Sequence, residues 1–85
     1  MKKLVEEVSG EGMESLIGER VTLFCMNYIY TGKLIGVSST CVMLSDAAIV
    51  YETGELTSGT WKDAQSLPHE WYVQTSAIES FGLLK

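Results

Sequence analysis

Apolar and polar residues alternate along the middle of this chain with the period of two that a strand produces when one face is buried. Residues 21–25 show this alternation, and residues 29–38 and 41–52 are rich in the Val, Ile, Leu, Tyr and Thr side chains that suit a pleated, half-buried surface. Between the first two segments, Asn27 tolerates a positive φ and predicts a tight reversal of the chain. The pattern therefore predicts three consecutive antiparallel strands.

Two glycines within the second predicted strand indicate where the sheet bends. Gly32 and Gly36 lack the Cβ atom that would collide with neighbouring backbone where a sheet turns sharply. Strongly bent strands in so short a chain are typical of a small, curved β-barrel. We therefore expect a mainly β protein.

The first part of the chain has a helical rather than a strand-like pattern. Residues 2–9 place apolar side chains on one helical face, and residues 13–17 predict a second short helix. Gly18 is suited to end that helix, because a glycine readily adopts the left-handed conformation at this position. The predicted organisation is an N-terminal extension at residues 1–12 and one barrel domain at residues 13–85.

The second half of the chain predicts two further strands after a long connection. Residues 53–69 contain two glycines and the single proline, which indicates a long loop or an extended hairpin. Residues 70–75 and 77–83 are the predicted strands four and five, with a sharp bend near Ser76 between them.

The length and the net charge of the chain limit the functions that it could have. A chain of 85 residues buries only about 60% of its unfolded surface, so association between copies would complete a small core. The net charge of −5 opposes the neutralisation of phosphates, so we expect no DNA binding and only local contact with RNA. No apolar run approaches the roughly 20 residues that span a bilayer, and no signal peptide is recognised. We expect a cytoplasmic protein without membrane contact.

The chain carries little reactive chemistry. Cys25 and Cys41 lie in predicted strands without CxxC spacing, which favours buried reduced thiols over a disulfide or a metal site. The single histidine, His69, follows a proline in the long connection and has no nucleophile beside it in the sequence. We therefore expect neither an enzyme nor a bound cofactor or metal.

Several short motifs together resemble the Sm-like family, which comprises the Sm and LSm proteins and the bacterial host factor Hfq. The resemblance covers residues 16–83 and is typical of a divergent bacterial- or phage-type member. It implies a short N-terminal helix followed by a five-stranded, strongly bent antiparallel barrel, a homo-oligomeric ring and binding of single-stranded RNA. The motifs are Leu16-Ile17-Gly18 before Val21-Thr22-Leu23, then Tyr30-x-Gly32-x-Leu34 and Leu44-x-Asp46-Ala47.

The resemblance also implies an RNA site formed by two loops. Ser38, Thr40 and Cys41 stand where the family has an acid, a stacking platform and an asparagine, and Gln74 to Ser76 replace its basic second loop. Hydroxyl and amide groups can bind a base edge or a 2′-OH, although a site without a cation binds weakly. The alternative is that these residues only stabilise turns. The candidate residues are Ser38, Ser39, Thr40, Cys41, Gln74, Thr75 and Ser76.

The last two strands are the expected contact between subunits. An open barrel leaves two strand edges unpaired, and a head-to-tail contact between such edges can close into a ring. The alternative is that their apolar side chains fill the core of a single chain. The candidate interface residues are Trp71, Tyr72, Val73, Ile78, Phe81 and Leu83.

Three functions are compatible with these patterns. The first is an Sm-like ring that binds single-stranded RNA weakly. The second is a ring that has lost RNA recognition and contacts another protein, with Trp61 of the long connection as the candidate contact. The third is a monomeric SH3-like barrel that binds a peptide through exposed aromatic side chains.

Overall fold

The computed structural model describes residues 12–85, and the helix predicted at residues 2–9 lies outside them. The described residues form six strands of one antiparallel sheet and two 3₁₀-helices, so the chain is mainly β, as predicted. In chain order, the elements are a 3₁₀-helix at Gly12–Leu16, β1 (Arg20–Cys25), β2 (Ile29–Val37), β3 (Cys41–Glu52), β4 (Asp63–Ser66), β5 (Trp71–Gln74), a 3₁₀-helix at Thr75–Ala77 and β6 (Ile78–Gly82).

The predicted helix before β1 is wrong in type, because the described chain has a five-residue 3₁₀-helix there. Side chains three residues apart share a face of a 3₁₀-helix. Met13 and Leu16 therefore both pack against the core, whereas Ile17 is 49% exposed. Gly18 follows with a φ of +97°, as predicted for the residue that ends this element. Neither helix of residues 12–85 has the length and apolarity needed to cross a membrane.

Three strands of the sheet, β4, β5 and β6, are paired on one side only. Its order is β4-β3-β2-β1-β6, and β5 also pairs with β3. The long β3 holds both partners, because residues 41–44 pair with β5 and residues 48–52 with β4. Within residues 12–85, β5 and β6 do not pair with each other, so the sheet does not close. The sheet has six strands rather than the predicted five. The additional strand is β4, which lies within residues 53–69 and makes this connection an extended hairpin.

The reversal between β1 and β2 lies where it was predicted but has a different backbone conformation. The N–H of Cys25 donates to the carbonyl of Tyr28 at 3.0 Å and closes the turn. The non-glycine residues with positive φ in residues 12–85 are Asp46 and His69, so Asn27 does not supply the expected left-handed residue.

Two register shifts bend β2 and β3 together. Opposite Gly32, β3 contains one extra residue, and Asp46 adopts a φ of 48° there. Next to Gly36, β2 contains the extra residue Ile35. A bulge locally increases the twist and bend of a strand. Both glycines predicted to mark bends therefore lie at irregularities of the β2–β3 ladder.

The core lies on one face of the bent sheet, but β1 is covered on both faces. Val21, Thr22 and Leu23 are all 0% exposed, although alternation predicts one buried face. Thr31 is also buried, and its hydroxyl donates to the carbonyl of Val21 at 3.0 Å. The hydroxyl of Thr22 is buried without a partner among the described residues. The buried core cluster consists of Val21, Leu23, Leu34, Val42, Leu44, Ala47 and Val73.

The two buried threonines should respond differently to replacement by valine. Thr22→Val is expected to leave the free energy of unfolding unchanged or raise it by up to about 1 kcal/mol, because it removes an unpaired buried hydroxyl. Thr31→Val is expected to lower it by about 1 kcal/mol, because a buried hydrogen bond is lost. Urea unfolding of the two variants at equal protein concentration measures both changes. Equal losses in the two variants would contradict the assignment of the Thr22 hydroxyl.

Candidate functional site

Two loops that are far apart in the sequence are joined beside β5. The N–H of Thr75 donates to the carbonyl of Thr40 at 2.9 Å, and the Thr75 hydroxyl donates to the carbonyl of Ser39 at 3.2 Å. The pairing of β3 with β5 places Gln74 opposite Cys41 and fixes this contact. The β2–β3 turn and the 3₁₀-helix before β6 therefore form one continuous surface.

A pocket of about 610 Å³ opens where these loops meet, and we call it the turn pocket. Six of the seven residues predicted for an RNA site line it, together with Tyr72 of β5. The lining residues are Ser39, Thr40, Cys41, Tyr72, Gln74, Thr75 and Ser76.

Ser38 is the predicted residue that does not line the turn pocket. Its hydroxyl oxygen accepts hydrogen bonds from the N–H groups of Cys41 at 3.2 Å and Thr40 at 3.3 Å. These bonds hold the turn between β2 and β3, as serine commonly does in tight turns. Ser38 therefore has a turn-forming role, and its predicted role in RNA binding stays a prediction.

The turn pocket combines polar groups with one exposed aromatic ring. Gln74 is exposed, and its side chain makes no capping bond to the following 3₁₀-helix. Tyr72 is 61% exposed and lies two residues before Gln74 on the same face of β5. The period of two within β5 could have placed Tyr72 here, but the sequence analysis assigned it to the interface alone. No lysine, arginine or histidine of residues 12–85 lines the pocket, so the described lining offers hydrogen bonding and stacking without charge.

The thiols show no sign of a reactive or metal-binding role in the described residues. Both cysteines are free and half-buried, and residues 12–85 contain no group of His, Cys, Asp and Glu that could hold a metal ion. Burial raises the pKa of the Cys25 thiol, and the nearby carboxylate of Glu79 raises it further. The Cys25 thiol is therefore protonated at neutral pH and a poor nucleophile.

The open edges of the sheet carry apolar residues that continue its core face. Trp71 lies opposite the buried Leu44, and Phe81 lies opposite the buried Leu23. Directly opposed residues of an antiparallel pair point to the same face of the sheet. Trp71 and Phe81 therefore extend the core face on β5 and β6, yet they are 37% and 41% exposed. Strands of the same chain do not cover this part of the core face.

The other predicted interface residues divide into two groups. Val73 is 5% exposed and belongs to the core, and Ile78 packs against that core. Both side chains therefore pack within the chain itself, and their predicted contact with another subunit stays a prediction. Tyr72 and Leu83 are 61% and 55% exposed. The exposed edge residues are Trp71, Tyr72, Phe81 and Leu83.

A second concavity, of about 490 Å³, lies beside Trp61. It gathers three cations, Arg20, Lys62 and Lys85. Arg20 pairs with Asp46 at 3.2 Å, and Lys62 pairs with Glu52 at 3.3 Å. These carboxylates offset the positive charge, so we do not assign an anion site here.

Trp61, the predicted partner contact, is half-buried, and one face of its ring is occupied within the chain. The Lys85 ammonium lies 4.4 Å from the centre of the ring. The face in contact with Lys85 is not available to a partner in this conformation.

Comparison of the chain with models of protein families, with curated proteins and with solved structures finds no match.

Proposed function

We propose that the chain is an Sm-like subunit that assembles with copies of itself into a ring and binds single-stranded RNA in the turn pocket. The observation that carries this proposal is that β5 and β6, two of the three half-paired strands of residues 12–85, lie at different edges of one sheet. A ring needs two different edges on each subunit, because each contact joins one edge of a copy to the other edge of the next.

The side chains on these edges support pairing with a second copy rather than exposure to water. Trp71 and Phe81 continue the core face, and both are more than one-third exposed in the isolated chain. Pairing β5 of one copy with β6 of the next would cover both rings and satisfy the outward backbone N–H and C=O groups. Edge strands left open would instead promote aggregation.

The chemistry of the turn pocket supports RNA as the ligand. Tyr72 offers a flat face on which a base can stack, a contact worth about 1–3 kcal/mol per base. Gln74 and the neighbouring hydroxyl groups can donate to and accept from a base edge. Bases splayed from a single strand can reach such a pocket, whereas bases inside a duplex cannot.

The absence of a lining cation gives the proposed RNA binding a distinctive salt dependence. Each neutralised phosphate of a single strand contributes about 0.7 to the slope of log affinity against log salt concentration. We expect a slope smaller than about 0.7 in magnitude for uridine-rich or adenine-rich oligonucleotides, measured by fluorescence anisotropy. Light scattering on the same samples is expected to give one defined oligomer. A monomer at micromolar concentration would contradict the ring, and no RNA affinity at low salt would contradict the RNA site.

Replacing one amide in the turn pocket tests the site directly. Gln74→Ala is expected to weaken single-stranded RNA binding about tenfold, because one base-edge hydrogen bond worth about 1–1.5 kcal/mol is lost. The oligomer should persist, because the Gln74 side chain lines the turn pocket, whereas the proposed subunit contact is made by strand edges. Light scattering measures the mass of the oligomer. Gln65→Ala on β4 is the matched control, since that exposed amide lies outside the turn pocket. Equal effects of the two substitutions on RNA affinity would contradict the assignment.

The second candidate function is a ring without RNA recognition. It is favoured by the net charge of −5 and by the lack of a cation in the turn pocket. A defined oligomer that fails to bind either oligonucleotide at low salt would establish this function over the first.

A further inference from the structure

The side chain of Lys85 enters a cage built by the hairpin loop between β3 and β4. Its ammonium nitrogen lies 2.7 Å from each of three backbone carbonyl oxygens, those of Thr53, Glu55 and Thr60. The ring of Trp61 covers another side at 4.4 Å from its centre. We call these four groups the ammonium cage.

The ammonium cage matches the chemistry of a primary ammonium group. Such a group has three N–H donors and no acceptor, and the three carbonyls accept all three. The short distances are typical of charge-assisted hydrogen bonds, and the face of an indole ring attracts a cation further. The ion pairs of this region join Arg20 to Asp46 and Lys62 to Glu52. The ammonium of Lys85 is therefore held by backbone dipoles and a ring, and no carboxylate side chain of residues 12–85 forms an ion pair with it.

The backbone conformation and the hydrogen bonds within the loop hold the carbonyls of the ammonium cage in place. Gly54 adopts a φ of +68°, which turns the chain between the first two cage carbonyls. The N–H of Ser58 donates to the carbonyl of Glu55 at 3.1 Å, and the hydroxyl of Ser58 accepts from the N–H of Thr60 at 3.3 Å. These local bonds orient the carbonyls at residues 55 and 60.

We propose that the loop at residues 53–61 is a binding site for a primary ammonium group, and that Lys85 of the same chain is its resident ligand. Occupancy connects the segment after β6 to the β3–β4 hairpin, and the nearest of the three carbonyls is 25 residues from Lys85 in the sequence. The inference does not depend on RNA binding or on ring formation.

The ligand class follows from the geometry of the donors. A guanidinium is planar and cannot direct three protons at three converging carbonyls, and an acetylated lysine has lost both its charge and two of its protons. Acetylation of Lys85 would therefore empty the ammonium cage and release the segment after β6. A small ammonium ion of the same donor count should be able to fill the emptied cage.

The test is the replacement of Lys85 by a side chain of similar length without charge. In Lys85→Met, hydrogen exchange of the amides at residues 53–62 is expected to accelerate at least about tenfold, because three charge-assisted hydrogen bonds are lost. Exchange of the amides in β1 and β2 serves as the internal reference for folding. Lys33→Met is the matched control, because Lys33 is an exposed lysine on β2 outside the ammonium cage. The control is expected to leave exchange at residues 53–62 unchanged.

Chemical rescue shows whether the faster exchange in Lys85→Met comes from loss of the ammonium group or from a general loss of packing. Methylammonium chloride at high concentration is expected to restore slow exchange at residues 53–62 of Lys85→Met. Tetramethylammonium chloride at the same ionic strength is expected not to, because it has no N–H donors for the three carbonyls. Unchanged exchange in Lys85→Met, or equal protection by the two salts, would overturn the proposal.

Discussion

Phe81→Glu is expected to abolish assembly at protein concentrations where the natural chain forms its oligomer. Phe81 is 41% exposed on β6 and continues the core face of the sheet beyond the buried Leu23. In the proposed contact, its ring would be covered by β5 of the next copy, and a carboxylate in its place would lose its hydration. We expect the dissociation constant of the subunit contact to rise at least about 100-fold, or about 3 kcal/mol. Analytical ultracentrifugation over a concentration series measures this change.

A matched control distinguishes the loss of the β6 edge contact from the general effect of placing a charge on an exposed aromatic residue. Tyr28 is 50% exposed in the turn between β1 and β2, away from β5 and from the outer edge of β6. Tyr28→Glu places the same charge on an aromatic position of similar exposure and should leave the oligomer intact. If Phe81→Glu sediments like the natural chain, or if Tyr28→Glu dissociates to the same extent, the proposed contact between β5 and β6 is wrong.

Gly32→Ala is expected to destabilise the fold by about 1–3 kcal/mol, the usual cost of an added group in a packed site. A Cβ at this position would lie 3.1 Å from the Cα of Ala47, the Cβ of Leu44 and the carbonyl oxygen of Ser45. Two of these atoms are backbone in β3 beside its bulge, so relief of the clash requires the bulge to move. Urea unfolding measures the loss as a lower midpoint with an unchanged slope.

Gly36→Ala is the matched control for Gly32→Ala. A Cβ at Gly36 would meet only the Cβ of Met43, at 3.7 Å, which is an ordinary contact distance. Both substitutions reduce the freedom of the unfolded chain by the same amount, so their difference reports the folded state. We expect Gly36→Ala to change the free energy of unfolding by less than about 1 kcal/mol. Both variants are compared at one protein concentration, because assembly would add to apparent stability. Equal losses would show that the clash at Gly32 is not the cause.

The candidate site could be predicted only in part from the sequence. The turn residues 38–41 and 74–76 were selected as one site through the family resemblance, and the structure brings six of the seven together. Tyr72 was assigned to the interface alone, although the period of two within β5 places it on the same face as Gln74. Ser38 was included because its position matched a family motif, whereas its hydrogen bonds to the turn are visible only in three dimensions.

The ammonium cage could not have been predicted from the sequence by any local pattern. Its ligand, Lys85, is separated from its carbonyls by 25 to 32 residues. Backbone carbonyls are present at every residue, so no residue type marks where three of them converge. The sequence analysis took Trp61 for a partner contact, because an isolated aromatic residue in a loop has no visible packing partner.

The sequence by itself determined the mainly β class, the boundaries of β3 and the positions of the two bends, because strand periodicity and glycine placement are local properties. Tertiary structure alone decided that β1 is buried on both faces, that residues 63–66 form a strand against β3, and that β5 and β6 remain unpaired with each other. Each of these depends on which distant segment lies alongside, and contacts between distant segments are fixed by the packing of the whole chain. The half-paired β5 and β6, on which the proposed ring rests, and the occupied ammonium cage, on which the proposed ammonium site rests, belong to this second group.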